Sequence, residues 1–242
     1  MGVDFSSTYP PAVKKVQTVG YHRALSAESI LALKPTLIIH DGNVGPPQVM
    51  QQIARLKIPT KTFTAKNDSF DGEKALIREI GAYVHQEAHA EELCKKLDAD
   101  LAGSLDAVKR YTDTPRVAVI HFGRASNIYL LVGNGGKGDG GAAGKMVAAA
   151  GGRMAIDKAG MERMTSPEVV AQANPDVLLM TDFGYDRLGG SLEQIAALPG
   201  VATSNAAKNH RIYRVTEHEL MYFNPDSGAS VGRVAKLIHE GK

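Results

Sequence analysis

Short apolar runs alternate along this chain with stretches whose apolar residues recur every three or four positions. Runs of strand length stand at Val3 to Phe5, Thr36 to His40, Lys61 to Phe63, Val117 to Phe122, Ile128 to Val132, Val177 to Met180 and Ile212 to Val215. Between them, helices are predicted from the Ser26 cap, from Pro47 to Leu56, Ala142 to Ala150, Pro167 to Ala173, Leu192 to Leu198 and Ser227 to His239. Strand and helix in alternation predict an α/β fold with parallel sheet.

One stretch breaks the alternation. From Asp71 to Tyr111 there is no proline, and Leu76, Ile80 and Val84, then Leu93, Leu97, Leu101, Leu105 and Val108, recur at helical steps. A single helix over this stretch would be about 60 Å long, too long for one small α/β domain. The spacing therefore predicts a strut between two lobes, with residues 1–70 as the first lobe, 71–111 as the connecting helix and 112–242 as the second. Segments on either side of the strut echo each other. Ser26-Ala27-Glu28 through Lys34-Pro35 to Ile39 repeats the layout of Ser166-Pro167-Glu168 through Asn174-Pro175 to Leu179. Each reads as capped helix, acidic first turn, proline stop and buried strand. The prediction is two related Rossmann-like α/β lobes with a ligand cleft between them.

Composition narrows the field. With 28 basic and 26 acidic residues the net charge is +2, which gives no nucleic-acid footprint and no basic membrane-seeking face. No apolar run approaches the ~20 residues of a membrane-spanning helix. A single cysteine, Cys94, excludes an internal disulfide and a cysteine-based zinc site. The opening residues carry no signal peptide.

The candidate chemistry lies at Gly20-Tyr21-His22-Arg23, where a loop meets a helix. A phenol, an imidazole and a guanidinium side by side suit a metal-bearing anionic ligand. Several other features invite functional readings that fail in detail. The Gly133 to Gly144 loop before Lys145 has Asp139 where a phosphate loop needs its first glycine, and Met146 where it needs Ser or Thr. His85 and His89 have metal-pair spacing, but Glu87, Glu91 and Glu92 around them read as a solvated face. His121 ends a predicted strand and Arg124 follows, at the end of a parallel strand where α/β lobes bind ligands. A structural histidine fits that place equally.

The runs Val3-Asp4, Ser7-Thr8-Tyr9-Pro10, Val19-Gly20-Tyr21-x-Arg23-x-Leu25-Ser26-Ala27-Glu28, Gly45-Pro46-Pro47, Ala149-Ala150-Gly151-Gly152, Pro175-Asp176-Val177-Leu178-Leu179, Gly189-Gly190 and Leu198-Pro199-Gly200 span nearly the whole chain. In these the sequence resembles the haem-binding members of the helix-linked periplasmic substrate-binding proteins that serve ABC importers. Relative to that family, the first lobe lacks its initial strand-helix unit. The resemblance implies haem as the transported ligand, Tyr21 as its iron ligand and Arg23 beside it. Ferric iron is a hard acid and phenolate a hard oxygen donor, which fits. The resemblance further implies His121 as a second ligand, with His22, a departure from the family pattern, as the other candidate. It implies Glu28 and Glu168 as docking points for an ABC permease, no catalysis, a periplasmic setting and a monomer. Tyr222-Phe223-Asn224-Pro225-Asp226 stands where many relatives carry a Gly-Pro-Arg step, so a second cationic contact is missing there. The alternatives are a cytosolic haem-handling or chelatase-like enzyme, for which His40-Asp41 is the nearest acid-base pair, and a siderophore- or cobalamin-binding protein.

Overall fold

The computed structural model describes residues 1–124, 127–131, 141–156, 161–164, 167–187 and 190–241. The chain forms two compact units, Met1–Ala65 and Lys66–Lys242.

In the first unit, β1 (Gly2–Val3) pairs in parallel with β2 (Gln17–Thr18), which is followed by α1 (Ala27–Leu31). Then β3 (Ile38–His40), α2 (Pro47–Arg55) and β4 (Thr60–Thr62) complete a second parallel pair. Ser26 caps α1 by accepting the Ser29 amide at 3.0 Å. The core is small: Ile30, Val49 and Ile53, with Val19, Leu25 and Ile38 packed on it.

The second unit opens with α3 (Phe70–Tyr83) and α4 (Glu87–Val108). The single strut helix expected over 71–111 is thus two helices, and both belong to this unit. His85 causes the break. It adopts a left-handed φ of 57°, the His85 amide bonds to the Ala82 carbonyl, and the Gln86 amide to the Gly81 carbonyl. That is a helix stop of the kind glycine usually makes, here made by histidine. The helices then fold back as an antiparallel pair around Ile77, Ala90, Cys94 and Leu97. A Cβ on Gly81 would lie 2.5 Å from the Ala90 Cβ, so glycine is needed at the crossing. Arg78 grips Glu91 across the pair, and Lys74 reaches Asp98. The buried face of α3 is Glu73, Ile77 and Gly81, whereas Ile80 and Val84 are exposed, so the expected stripe was the wrong face.

The rest runs β5 (Arg116–Arg124), β6 (Asn127–Leu131), α5 (Gly141–Ala149), β7 (Arg153–Met154), β8 (Met161–Met164), α6 (Pro167–Ala173), β9 (Val177–Thr181), α7 (Asp182–Arg187), α8 (Leu192–Ala196), α9 (Asn205–Lys208), β10 (Ile212–Val215), α10 (Glu217–Leu220) and α11 (Ser227–Glu240). The strands form one sheet in the order β10-β9-β5-β6-β8. The β10, β9 and β5 strands are parallel, as expected, but β6 and β8 extend the sheet antiparallel. The short β7 pairs with the start of β5. Alternate residues feed two cores. Val117, Val119, Val177 and Leu179 face α5 and α11, and Ile120, Leu178, Met180 and Ile212 face α6, α8 and α9. Helix α4 packs on α11 at Gly228, where a Cβ would meet the Leu97 carbonyl oxygen at 2.5 Å. Among the described residues no helix is long and apolar enough to cross a membrane.

Candidate functional site

The Gly20–Arg23 run is held as a turn by three neighbours, all within the first unit. The β1–β2 ladder continues into it: Val19 donates to the Val3 carbonyl at 2.9 Å and Phe5 to the Gly20 carbonyl at 2.8 Å. Gly20 has φ +110°, which an L side chain rarely adopts, and it turns the chain out of the ladder. The Ala24 amide closes the turn on the Tyr21 carbonyl at 2.7 Å. Gly45 clamps it from the other side, donating to the His22 carbonyl at 2.8 Å and accepting from the Leu25 amide at 2.9 Å. Three separate sequence marks, Val3-Asp4, Gly20-Tyr21 and Gly45-Pro46, therefore meet in one place.

With the backbone occupied, the side chains face outward. Tyr21 is 46% exposed, and among the described residues no protein group hydrogen-bonds its hydroxyl. Its ring lies against that of His22, with centroids 4.3 Å apart. His22 is anchored through Nδ1, 3.1 Å from Ser6 Oγ, and Ser6 is in turn held by Asp4. Arg23 is exposed beside them. An accessible oxygen donor with no competing partner suits a hard metal centre, and the guanidinium next to it suits carboxylates.

His121 and Arg124 belong to the second unit. His121 lies at the irregularity in β5 between Ile120 and Phe122, where the pairing with β6 slips by one residue. Its Nδ1 lies 3.2 Å from Thr181 Oγ1, which donates to the His121 carbonyl at 2.9 Å. Its Nε2 is 3.5 Å from Glu217 Oε1, which accepts from the Tyr222 hydroxyl at 2.9 Å. Asp182 adds a hydrogen bond from the Glu217 amide at 2.8 Å. Burial pushes the His121 imidazole down and the Glu217 carboxyl up, so both favour their neutral forms. Sequence reading placed His121 at a strand end but missed its partners, because Thr181, Glu217 and Tyr222 converge only through the sheet. The side chain of Arg124 and residues 132–140 of the glycine-rich loop lie outside the described residues.

Glu28 and Glu168 occupy the first turns of α1 and α6, and both are exposed. His85 serves as the helix stop described above, and His89 Nδ1 lies 3.4 Å from Glu92 Oε2 at the surface. Among the described residues no group of three His, Cys, Asp or Glu could hold a metal ion.

The chain belongs to the periplasmic binding protein family, whose model matches residues 2–218. Its fold matches the periplasmic heme-binding protein RhuT of Roseiflexus sp. RS-1, solved in apo form. The TM-score is 0.84 with 31% identity, covering 99% of this chain and 89% of that one. An uncharacterised ABC transporter substrate-binding lipoprotein of Bacillus subtilis, YvrC, is 28% identical over 99% of this chain and 73% of its own length. A vitamin B12-binding protein of Pectobacterium carotovorum is 34% identical over 85 residues, 35% of this chain and 30% of its own. Family and neighbours are substrate-binding transport proteins.

Proposed function

We propose that this protein captures haem outside the cytoplasm and delivers it to the permease of an ABC importer. The observation that carries the reading is Tyr21, an exposed phenol whose hydroxyl has no protein hydrogen-bond partner among the described residues, presented on a turn pinned at both sides. Phenolate supplies a hard anionic ligand to ferric iron, and Arg23 supplies a planar cation for a propionate or for the phenolate itself. The likeness to a heme-binding protein supports the choice of ligand. Glu28 and Glu168, exposed on the first turns of two echoed helices, are the proposed contacts for basic residues of the permease. The protein performs no catalysis in this reading, and acts as a monomer.

Haemin titration followed by absorption spectroscopy tests it. The parent is expected to give a phenolate-to-iron charge-transfer band, and Tyr21→Ala to lose that band and bind more weakly. Equal affinity in both overturns the site. Titration with cyanocobalamin covers the second reading, which the 85-residue likeness to a vitamin B12-binding protein favours. Uptake of cobalamin in place of haemin would establish that reading and sink the first.

A further inference from the structure

The surroundings of His22 are built. The Asp4 carboxylate accepts from the Ser6 amide at 3.1 Å and from the Ser7 hydroxyl at 3.2 Å. Both of its oxygens stand 2.8 Å from Ser6 Oγ. An ionised carboxylate can only accept, and Ser6 has one hydroxyl proton, so that proton goes to Asp4. Ser6 Oγ is left as the acceptor for His22 Nδ1, 3.1 Å away. The network thereby sets the tautomer: Nδ1 carries the hydrogen and Nε2 the lone pair. Among the described residues no hydrogen bond reaches Nε2. Metal-binding imidazoles are oriented in this way, through a partner on the other ring nitrogen.

The geometry also restricts what His22 can do. The two axial positions of a haem iron lie on opposite faces of the macrocycle. Tyr21 and His22 are consecutive on one turn with ring centroids 4.3 Å apart, and so reach the same face. That arrangement suits His22 better as a replacement for Tyr21 than as a partner on the opposite face of the iron.

We infer that His22 is the alternative axial ligand of this loop, taking the coordination position of Tyr21 when the phenolate is absent or the iron is ferrous. This rests on the haem reading above. Phenolate matches hard ferric iron, and imidazole matches the softer ferrous ion. On reduction by an external one-electron donor, the iron–oxygen bond opens and the phenolate takes a proton from solvent. The Nε2 lone pair then forms the iron–nitrogen bond. The loop would thus hold haem in both oxidation states.

The test uses the full chain with haemin, read by absorption and electron paramagnetic resonance before and after dithionite. Tyr21→Phe is expected to keep haemin, more weakly than the parent, with an imidazole spectrum in place of the phenolate band. Tyr21→Phe/His22→Ala loses binding while its far-ultraviolet circular dichroism stays that of the parent. Adding Ser6→Ala to Tyr21→Phe weakens binding by about tenfold or more, as losing the partner of a metal-bound histidine does. The reduced parent shows imidazole ligation that reduced His22→Ala lacks. If Tyr21→Phe and the double variant have the same spectrum and affinity, or if His22→Ala leaves the reduced spectrum unchanged, the inference fails while the parent's phenolate band keeps the haem reading. A parent that takes up no haemin overturns the haem reading itself.

Discussion

The segment 26–40 in the first unit and the segment 167–181 in the second are built alike and end in different surroundings. Each has a short helix with glutamate in its first turn, then a left-handed residue before proline, then a strand. Lys34 has φ 49° and Asn174 has φ 40°. Downstream they diverge. Every residue of β9 is buried, between β5 on one side and β10 on the other. Strand β3 pairs only with β4 among the described residues, and Ile39 is 53% exposed. Helix, stop and strand start are thus local properties, whereas depth is set by how many neighbours the strand acquires. The polar residue after each proline differs in the same way. Asp176 accepts from the Arg116 backbone amide and side chain and from Asn205, whereas Thr36 has no carboxylate to offer.

Three substitutions probe that difference, and a fourth, at Glu73, probes burial elsewhere in the second unit. Leu179→Ala, in the middle of β9, is expected to cost about 2–5 kcal/mol in urea unfolding, the range for a cavity in a packed core. A loss below about 1 kcal/mol would mean that β9 is not as deep as it looks. Glu73→Gln comes next. Burial in the second unit pushes the Glu73 carboxyl up to about 7 from 4.5, and among the described residues its Oε2 has no hydrogen-bond partner. Between those values the folded chain keeps a proton that the unfolded chain has released. Stability therefore falls as pH rises through this window and stays low above it. At pH 8 the glutamine variant is expected to be more stable by on the order of 2–3 kcal/mol, with the window's slope removed. An unchanged slope would show that another group titrates there.

Asp176→Asn is expected to cost about 1–2 kcal/mol at neutral pH, reduced from the full linkage value because the pair is partly solvated. Burial alone would push this carboxyl up, but hydrogen bonds from Arg116 and Asn205 hold it at about 2. Its contribution is complete above the ordinary value of 3.8 and is lost as pH falls through about 2. Acid unfolding of parent and variant should converge below that point. The smallest effect is expected at the counterpart strand, where Ile39→Ala should change stability by less than about 1 kcal/mol. A cost matching that of Leu179→Ala would erase the contrast between the segments.

Much of the fold was legible where the signal was local. Ser26, Lys34-Pro35, Pro47 and the apolar runs of β5, β9 and β10 put element positions within a few residues. The strut was misread because its stop is His85, a residue that rarely adopts the left-handed conformation. The break shows in sequence only as Gly81, which reads as a weak helix position until Ala90 is seen against it. The direction of β6 was missed because an apolar run does not carry strand direction, and β8 was missed altogether because Met161-Glu162-Arg163-Met164 is not an apolar run. At the candidate site, the run Tyr21 to Arg23 could be singled out from sequence. The Ser6 contact of His22 could not, because Asp4 and Ser6 reach it only through the β1–β2 pairing.

By itself, then, the sequence determined the α/β alternation, the echoed helix-stop-strand units and a loop of donors at Tyr21, since each depends on residues a few positions apart. Only the tertiary structure decided that the helix over 71–111 folds back on itself, that β9 is deep and β3 shallow, and that Ser6 and Asp4 stand behind His22. Those facts depend on which distant backbones come together, and the same local code is compatible with several answers until burial and hydrogen bonding select one.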